Sequence, residues 1–292
     1  MQKIVILNPK GGSGKSTIAT NLASYFAVQG LSPTLMDLDA QGSSMCWLKK
    51  RTVDQPVIHG IAGFERNTRV TRSFATRVPP EAQRLVIDTP AALEPQRLPD
   101  ITRNATAVLV PVLPSHIDIH AATKCISDLL LIAKIRRNEH RIAIIANRVK
   151  KNTLVYASLL QFLETLRIPV VATLRDSQNY IRTAESGAGL FEMKPYAVRE
   201  DLDQWLPLLG WLSRRPVPPV ETGTTVVSPR IDMPPFPATP LSTPPPAAST
   251  HHPADEAPSI SSAQTSPPVQ ASPPAQTVPP GRTFLRRLLG RR

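Results

Sequence analysis

The run Ile4-Val5-Ile6-Leu7 passes directly into Asn8-Pro9-Lys10-Gly11-Gly12-Ser13-Gly14-Lys15-Ser16-Thr17. Four aliphatic residues in a row read as a buried strand, and the glycines at 11, 12 and 14 turn the chain at once. From Lys15 to Gln29 the apolar residues recur at helical spacing, so the turn opens a helix. In that order, strand then glycine loop then helix, consecutive backbone N–H groups can close round an anion. The helix adds the positive end of its dipole. Gly11, Gly12, Ser13 and Gly14 then wrap a phosphate, Lys15 neutralises the terminal phosphates of a nucleotide, and the Ser16 hydroxyl is offered to Mg2+. Thr17 is expected at the α-phosphate. A glycine-rich turn with an exposed lysine is the plainer reading, but it leaves the strand–loop–helix order unexplained.

The rest of the chain to Arg215 repeats the alternation. Strands are expected at Lys3–Leu7, Thr34–Met36, Leu85–Ile87, Ala107–Val112, Ile142–Ala146 and Val170–Thr173. Helices are expected at Lys15–Gln29, Ile117–Arg137, Thr153–Leu166 and Ser177–Ser186, with a last one at Val198–Leu212 kinked or split at Pro207. Strands apolar throughout, rather than alternating, belong to a parallel sheet covered on both faces. The fold class is therefore α/β, a doubly wound, mostly parallel sheet of the P-loop NTPase type. Residues 49–80 carry no clear period.

A magnesium nucleotide site also needs carboxylates at strand ends. Leu35-Met36 is followed by Asp37 and Asp39, and Leu85-Val86-Ile87 by Asp88. Both lie where open α/β sheets bind ligands, at the carboxyl ends of strands. Ser16, Asp39 and Asp88 are the candidate metal-binding groups: Asp88 holds the metal's water shell, and Asp39 positions or activates the attacking water. A lone aspartate after a strand is ordinarily a turn or cap residue. Three of them beside a phosphate loop favour the functional reading.

Composition divides the chain. Most of its 32 prolines lie beyond Arg215, in a Pro/Ser/Thr/Ala-rich stretch that buries too little apolar surface to offset the entropy of ordering it. The expected organisation is a folded domain at 1–215, a disordered linker at 216–281 and a short basic amphipathic helix at 282–292. The net charge of +12 falls mainly on the folded part, with five arginines in the last eleven residues. Such a balance favours polyanions, either nucleic acid or an anionic membrane face, over a generically basic surface. Cys46 and Cys125 are far apart and make neither a disulfide framework nor a metal spacing. No leader precedes the first strand and no run approaches the ~20 apolar residues of a spanning helix. A cytoplasmic protein, or one attached peripherally to a membrane, is expected.

Lys10–Thr17 resembles the deviant Walker A loop of the ParA/MinD family of P-loop ATPases. Asp37-Leu38-Asp39-Ala40-Gln41-Gly42-Ser43 and Val86-Ile87-Asp88-Thr89-Pro90-Ala91 resemble its two switch segments, in the family's order. The resemblance implies bound ATP and Mg2+, an ATP-sandwiched homodimer, slow hydrolysis stimulated by a partner protein, and a cargo to be positioned. It implies that Lys10 reaches the nucleotide of the other subunit, so Lys10, Lys15 and Asp39 are the catalytic candidates. Asn147, in Ile144-Ile145-Ala146-Asn147-Arg148, matches an asparagine that reads adenine in the family. Ala40 stands where relatives often carry proline, which loosens the loop without removing a chemical group.

The segment Leu174–Gly187 resembles a late one whose basic residues face DNA in chromosome-partitioning relatives. Arg175 and Arg182 are the candidates there, with Lys150 and Lys151 as contributors, against the alternative of ordinary solvated bases. Contacts of that kind would be sequence-independent and salt-sensitive. The tail Thr283-Phe284-Leu285-Arg286-Arg287-Leu288-Leu289-Gly290-Arg291-Arg292 resembles the membrane-targeting end of MinD proteins. As a helix it puts Phe284, Leu285, Leu288 and Leu289 on one face, as an interfacial anchor requires. A solubility tail or a docking peptide are the alternatives. The surface served is thus nucleoid DNA or the inner membrane face. Two other function classes stand beside a cargo-positioning ATPase: a nitrogenase-reductase-like metabolic enzyme, and a nucleotide-gated binding module.

Overall fold

The computed structural model describes residues 1–65, 76–150 and 153–215. Lys151, the linker 216–281 and the tail with Phe284, Leu285, Leu288 and Leu289 lie outside the described residues. Seven parallel strands form one sheet in the order β3-β2-β4-β1-β5-β6-β7. They are β1 (Gln2–Ile6), β2 (Pro33–Asp37), β3 (His59–Ala62), β4 (Arg84–Asp88), β5 (Ala107–Val112), β6 (Ile142–Val149) and β7 (Val170–Arg175). The helices are α1 (Lys15–Val28), α2 (Ser43–Lys49), α3 (Leu98–Thr102), α4 (His116–Leu131), α5 (Leu154–Leu166), α6 (Gln178–Ser186) and α7 (Pro195–Ser213).

The sheet's two faces follow from the strand period of two. Ile4 and Ile6 of β1 pack with Ile18, Leu22 and Phe26 of α1 and with Trp205 and Leu208 of α7. Val5 and Leu7 face the other layer, with Ile126 and Leu129 of α4 and Leu159 and Leu163 of α5. Because both faces are covered, β5 is apolar along its length and Ile4 to Ile6 of β1 are fully buried.

Three departures from the sequence reading have local causes. Strand β3 was not expected, since His59-Gly60-Ile61-Ala62 has a single buried aliphatic residue, Ile61. It is an edge strand, and Gly60 lets it approach α2: a Cβ there would meet Leu48 Cδ2 at 2.3 Å. Helix α4 stops at Leu131 instead of continuing to Arg137. Lys134 takes a left-handed φ of 55°, which turns Ile135 into the core, and the Leu129 carbonyl accepts the Ile135 N–H at 3.1 Å. Finally, α7 runs as one helix through Pro207. Trp205, Leu208, Leu209, Trp211 and Leu212 are all buried on either side of it, and their packing outweighs the missing backbone hydrogen bond.

Candidate functional site

Strand β1 is central, between β4 and β5; the chain passes from β1 to β2 on one side and later crosses from β4 to β5 on the other, so a crevice opens beyond its carboxyl end. The loop of residues 8–14 fills that position. Asn8, fully buried, fixes its start: Nδ2 donates to the Pro111 carbonyl at 2.6 Å and Oδ1 accepts the Lys10 N–H at 2.8 Å. Gly12 and Gly14 have φ of 77° and 94°, which side-chain-bearing residues rarely adopt. A Cβ on Gly14 would also lie 2.1 Å from Asn147 Nδ2. Lys15 opens α1 and is buried, and its ammonium donates back across the loop to the Lys10 carbonyl at 3.1 Å. Desolvation pulls the Lys15 pKa down, while the charges of Asp88 and Asp39 oppose that shift. The lysine thus stands among the carboxylates the sequence assigned to the site.

Register aligns those carboxylates. Asp37 pairs with Asp88, and Asp88 with Ile6, so the ends of β2, β4 and β1 form one row beneath the loop. Asp88 accepts the Ser44 hydroxyl at 2.7 Å through Oδ2, whereas Oδ1 is buried with no hydrogen-bond partner among the described residues. Burial pushes the Asp88 carboxyl up to about 6, against the Ser16 and Ser44 hydroxyls, which favour its charged form. An orphaned buried carboxylate oxygen beside Ser16 and Lys15 suits a hydrated divalent cation, so Ser16 and Asp88 fit the expected Mg2+. Asp39 is half-buried and accepts the Gln41 N–H at 3.0 Å.

Asp37 has a different task from its neighbours. It is fully buried, accepts the Asp39 N–H at 3.0 Å, and holds the N–H groups of Ser44 and Met45 at 3.0 and 3.2 Å. It clamps both ends of the 39–45 segment and caps α2, whose preceding residue, Gly42, is left-handed and offers no side chain. Asn8 and Asp37 lie inside stretches the sequence singles out, but their organising contacts were not legible there.

Asn147 sits in an irregularity of β6. Pairing with β7 shifts between Ala146 and Val149, and Arg148 takes a φ of 51°. A bulge of this kind re-aims a side chain, and Asn147 Nδ2 donates to the Ser13 carbonyl at 2.8 Å. The structure therefore brings Lys10, Gly11 to Thr17, Asp39, Asp88 and Asn147 to one end of the sheet. Lys10 is not free there: its ammonium lies 2.6 Å from Asp118 Oδ2, on the first turn of α4.

Arg175 and Arg182 lie apart from this cluster and differ from each other. The Arg175 guanidinium pairs with Glu200 and donates to buried Asp201 at 2.5 Å, and Ser177 and Asn179 donate to the same carboxylate. These partners hold Asp201 below the usual carboxylate range despite its burial and raise Arg175 further. Its charge is committed to tying α6 and α7 to the end of β7. Arg182, on α6, is exposed, with one long contact of 3.4 Å to Asn179 Oδ1.

Residues 4–191 match the CobQ/CobB/MinD/ParA nucleotide binding domain. The chain belongs to this family. Two relatives of this ParA/MinD chain are named maintenance of carboxysome distribution protein A. The one from Halothiobacillus neapolitanus is 25% identical over 195 residues, covering 65% of this chain and 87% of the relative. The one from Gloeobacter kilaueensis is 29% identical over 205 residues, covering 68% and 87%. A plasmid partition protein from Borrelia burgdorferi B31, solved bound to AMPPNP, superposes with a TM-score of 0.53 at 18% identity. That match covers 72% of this chain and 99% of the other, and it shows the shared fold.

Proposed function

We propose that this ParA/MinD-family ATPase binds ATP and Mg2+, dimerises on the bound nucleotide, and positions an intracellular cargo by ATP-switched attachment to nucleoid DNA or a membrane. The observation that carries the reading is the convergence of a two-lysine phosphate loop with Asp39 and Asp88 at the carboxyl end of β1, β2 and β4. Gly11 to Gly14 bind the phosphates by backbone N–H groups and Lys15 neutralises them. Ser16 and Asp88 hold the metal, which when bound screens the charge on the β- and γ-phosphates. Asp39 orients the attacking water, and Lys10 supplies its charge to the partner subunit's nucleotide. The half-buried position of Asp39, on a segment clamped by Asp37, suits slow hydrolysis that a partner protein accelerates by settling that segment.

The names of the two carboxysome-distribution relatives support a large protein assembly as cargo. For the surface, Arg182 is the exposed base that contacts DNA phosphates, with Arg175 holding α6 in place. Phe284, Leu285, Leu288 and Leu289 form the apolar face of a membrane-binding tail. The metabolic alternative is weakened by Cys125, which is buried in the core rather than at a surface where two subunits could share a cluster. Pelleting the full-length chain with DNA-coated beads and with anionic vesicles, in Mg-ATP and in Mg-ADP, tests the proposal. Retention on one surface in ATP and release in ADP is expected, and removal of residues 282–292 should abolish retention on vesicles alone. Equal retention in both nucleotides would contradict the switch.

A further inference from the structure

Lys10 has a partner inside its own subunit. Its backbone N–H is fixed by Asn8 Oδ1 at 2.8 Å, while its side chain spans to Asp118 Oδ2 at 2.6 Å. The exposures are unequal: Asp118 is 2% exposed and the lysine side chain 34%, so the ammonium can leave but the carboxylate cannot follow. Asp118 is the third residue of α4, whose N-cap is Ser115, and the Ser115 hydroxyl donates to Asp118 Oδ2 as the Asp118 N–H donates to Ser115 Oγ at 3.1 Å. Its other oxygen, Oδ1, is buried without a hydrogen-bond partner among the described residues. A carboxylate in the first turn is favoured by the helix dipole. The Ser115 contacts and the helix start remain with Asp118 when the lysine is away.

We propose that Asp118 is a positioning residue that holds Lys10 in cis in the unpaired subunit, so that the ATP dimer forms only when the lysine exchanges this carboxylate for the phosphates of the other subunit's nucleotide. This rests on Lys10 acting in trans. The exchange makes dimerisation a competition between two anions for one ammonium. A triphosphate offers enough charge density to win, and a nucleotide lacking the terminal phosphate offers less. Asp118 therefore sets how strict the requirement for ATP is. Only a ligand that differs between the two states can shift such an equilibrium.

Sedimentation velocity of the full-length chain in Mg2+ and AMPPNP, across protein concentration, tests this. Asp118→Asn keeps the shape and the Ser115 hydrogen bond but removes the charge. It should lower the concentration needed for dimerisation by about tenfold and allow some dimer in ADP. In a Lys10→Ala background the same change should have no effect. If Asp118→Asn melts like the parent yet dimerises no more readily, or if its gain persists without Lys10, the hold is overturned. A Lys10→Ala chain that dimerises like the parent would instead overturn the trans-lysine reading on which the hold depends. A second measurement needs no Asp118 variant. In parent protein methylated on its lysines with carbon-13, the Lys10 resonance, assigned through Lys10→Arg, should move between the ADP and AMPPNP states. An unmoved resonance contradicts the exchange.

Discussion

Asp88 keeps one oxygen on Ser44 and the other without a partner among the described residues, and burial raises its pKa from 3.8 to about 6. The unfolded chain gives up this proton at lower pH than the folded one, so the native state loses stability as pH rises from about 4 to 6. Asp88→Asn, which can still accept from Ser44, should therefore stabilise the nucleotide-free protein at pH 7.5 by about 2–3 kcal/mol, with the gain gone below pH ~4. Thermal melts at the two pH values check this, and the same variant should lose stabilisation by Mg-ATP. Gly14→Ala should cost at least ~1–2 kcal/mol from its left-handed φ alone, and more from the Asn147 contact. Denaturant titration of Gly14→Ala with and without Asn147→Ala separates the two. Lys15, Asp39 and Asp88 could be read in the sequence because short spacings and strand ends fix their chemistry. Asp118 could not, because its role depends on a partner 108 positions away. In the structure Ser115 and Asp118 form an ordinary capped start to α4.

At the scale of elements, apolar runs located β1 and β5 closely, because strands buried on both faces carry an unbroken signal. Strand β3 and helix α2 were missed, since each is short and is held by features a window of sequence does not show: Gly60 against Leu48 and the Asp37 clamp. Pro207 misled in the other direction. It is exposed on α7, and its neighbours' burial carries the helix past it. Pro207→Ala should therefore restore a backbone hydrogen bond and stabilise the protein by about 1–3 kcal/mol, seen as a raised melting temperature. The Arg175–Asp201 pair behaves oppositely. Removing Arg175 leaves Asp201 buried beside Ser177 and Asn179 with its main charge partner gone, and should cost about 3–5 kcal/mol. Arg182→Glu should leave stability within about 0.5 kcal/mol while weakening DNA retention. Melting curves and bead binding on the two variants distinguish an organiser of α6 and α7 from a surface contact.

For the whole molecule, the parallel sheet brings the phosphate loop, Asp39, Asp88 and Asn147 to one end, while Arg182 on α6 is exposed apart from them. On the proposed function this separation suits a switch, with nucleotide state sensed at one surface and attachment made at another. With a net charge of +12, the proposed DNA attachment should fall steeply with salt, as sequence-independent phosphate contacts do. The most direct measurement of the account is the molar mass by light scattering of the full-length chain carrying Asp39→Ala, in Mg-ATP and in Mg-ADP. A mass of two subunits in ATP and one in ADP is predicted, with Lys15→Ala reducing the ATP sample to one. A mass that does not change with nucleotide would contradict the account.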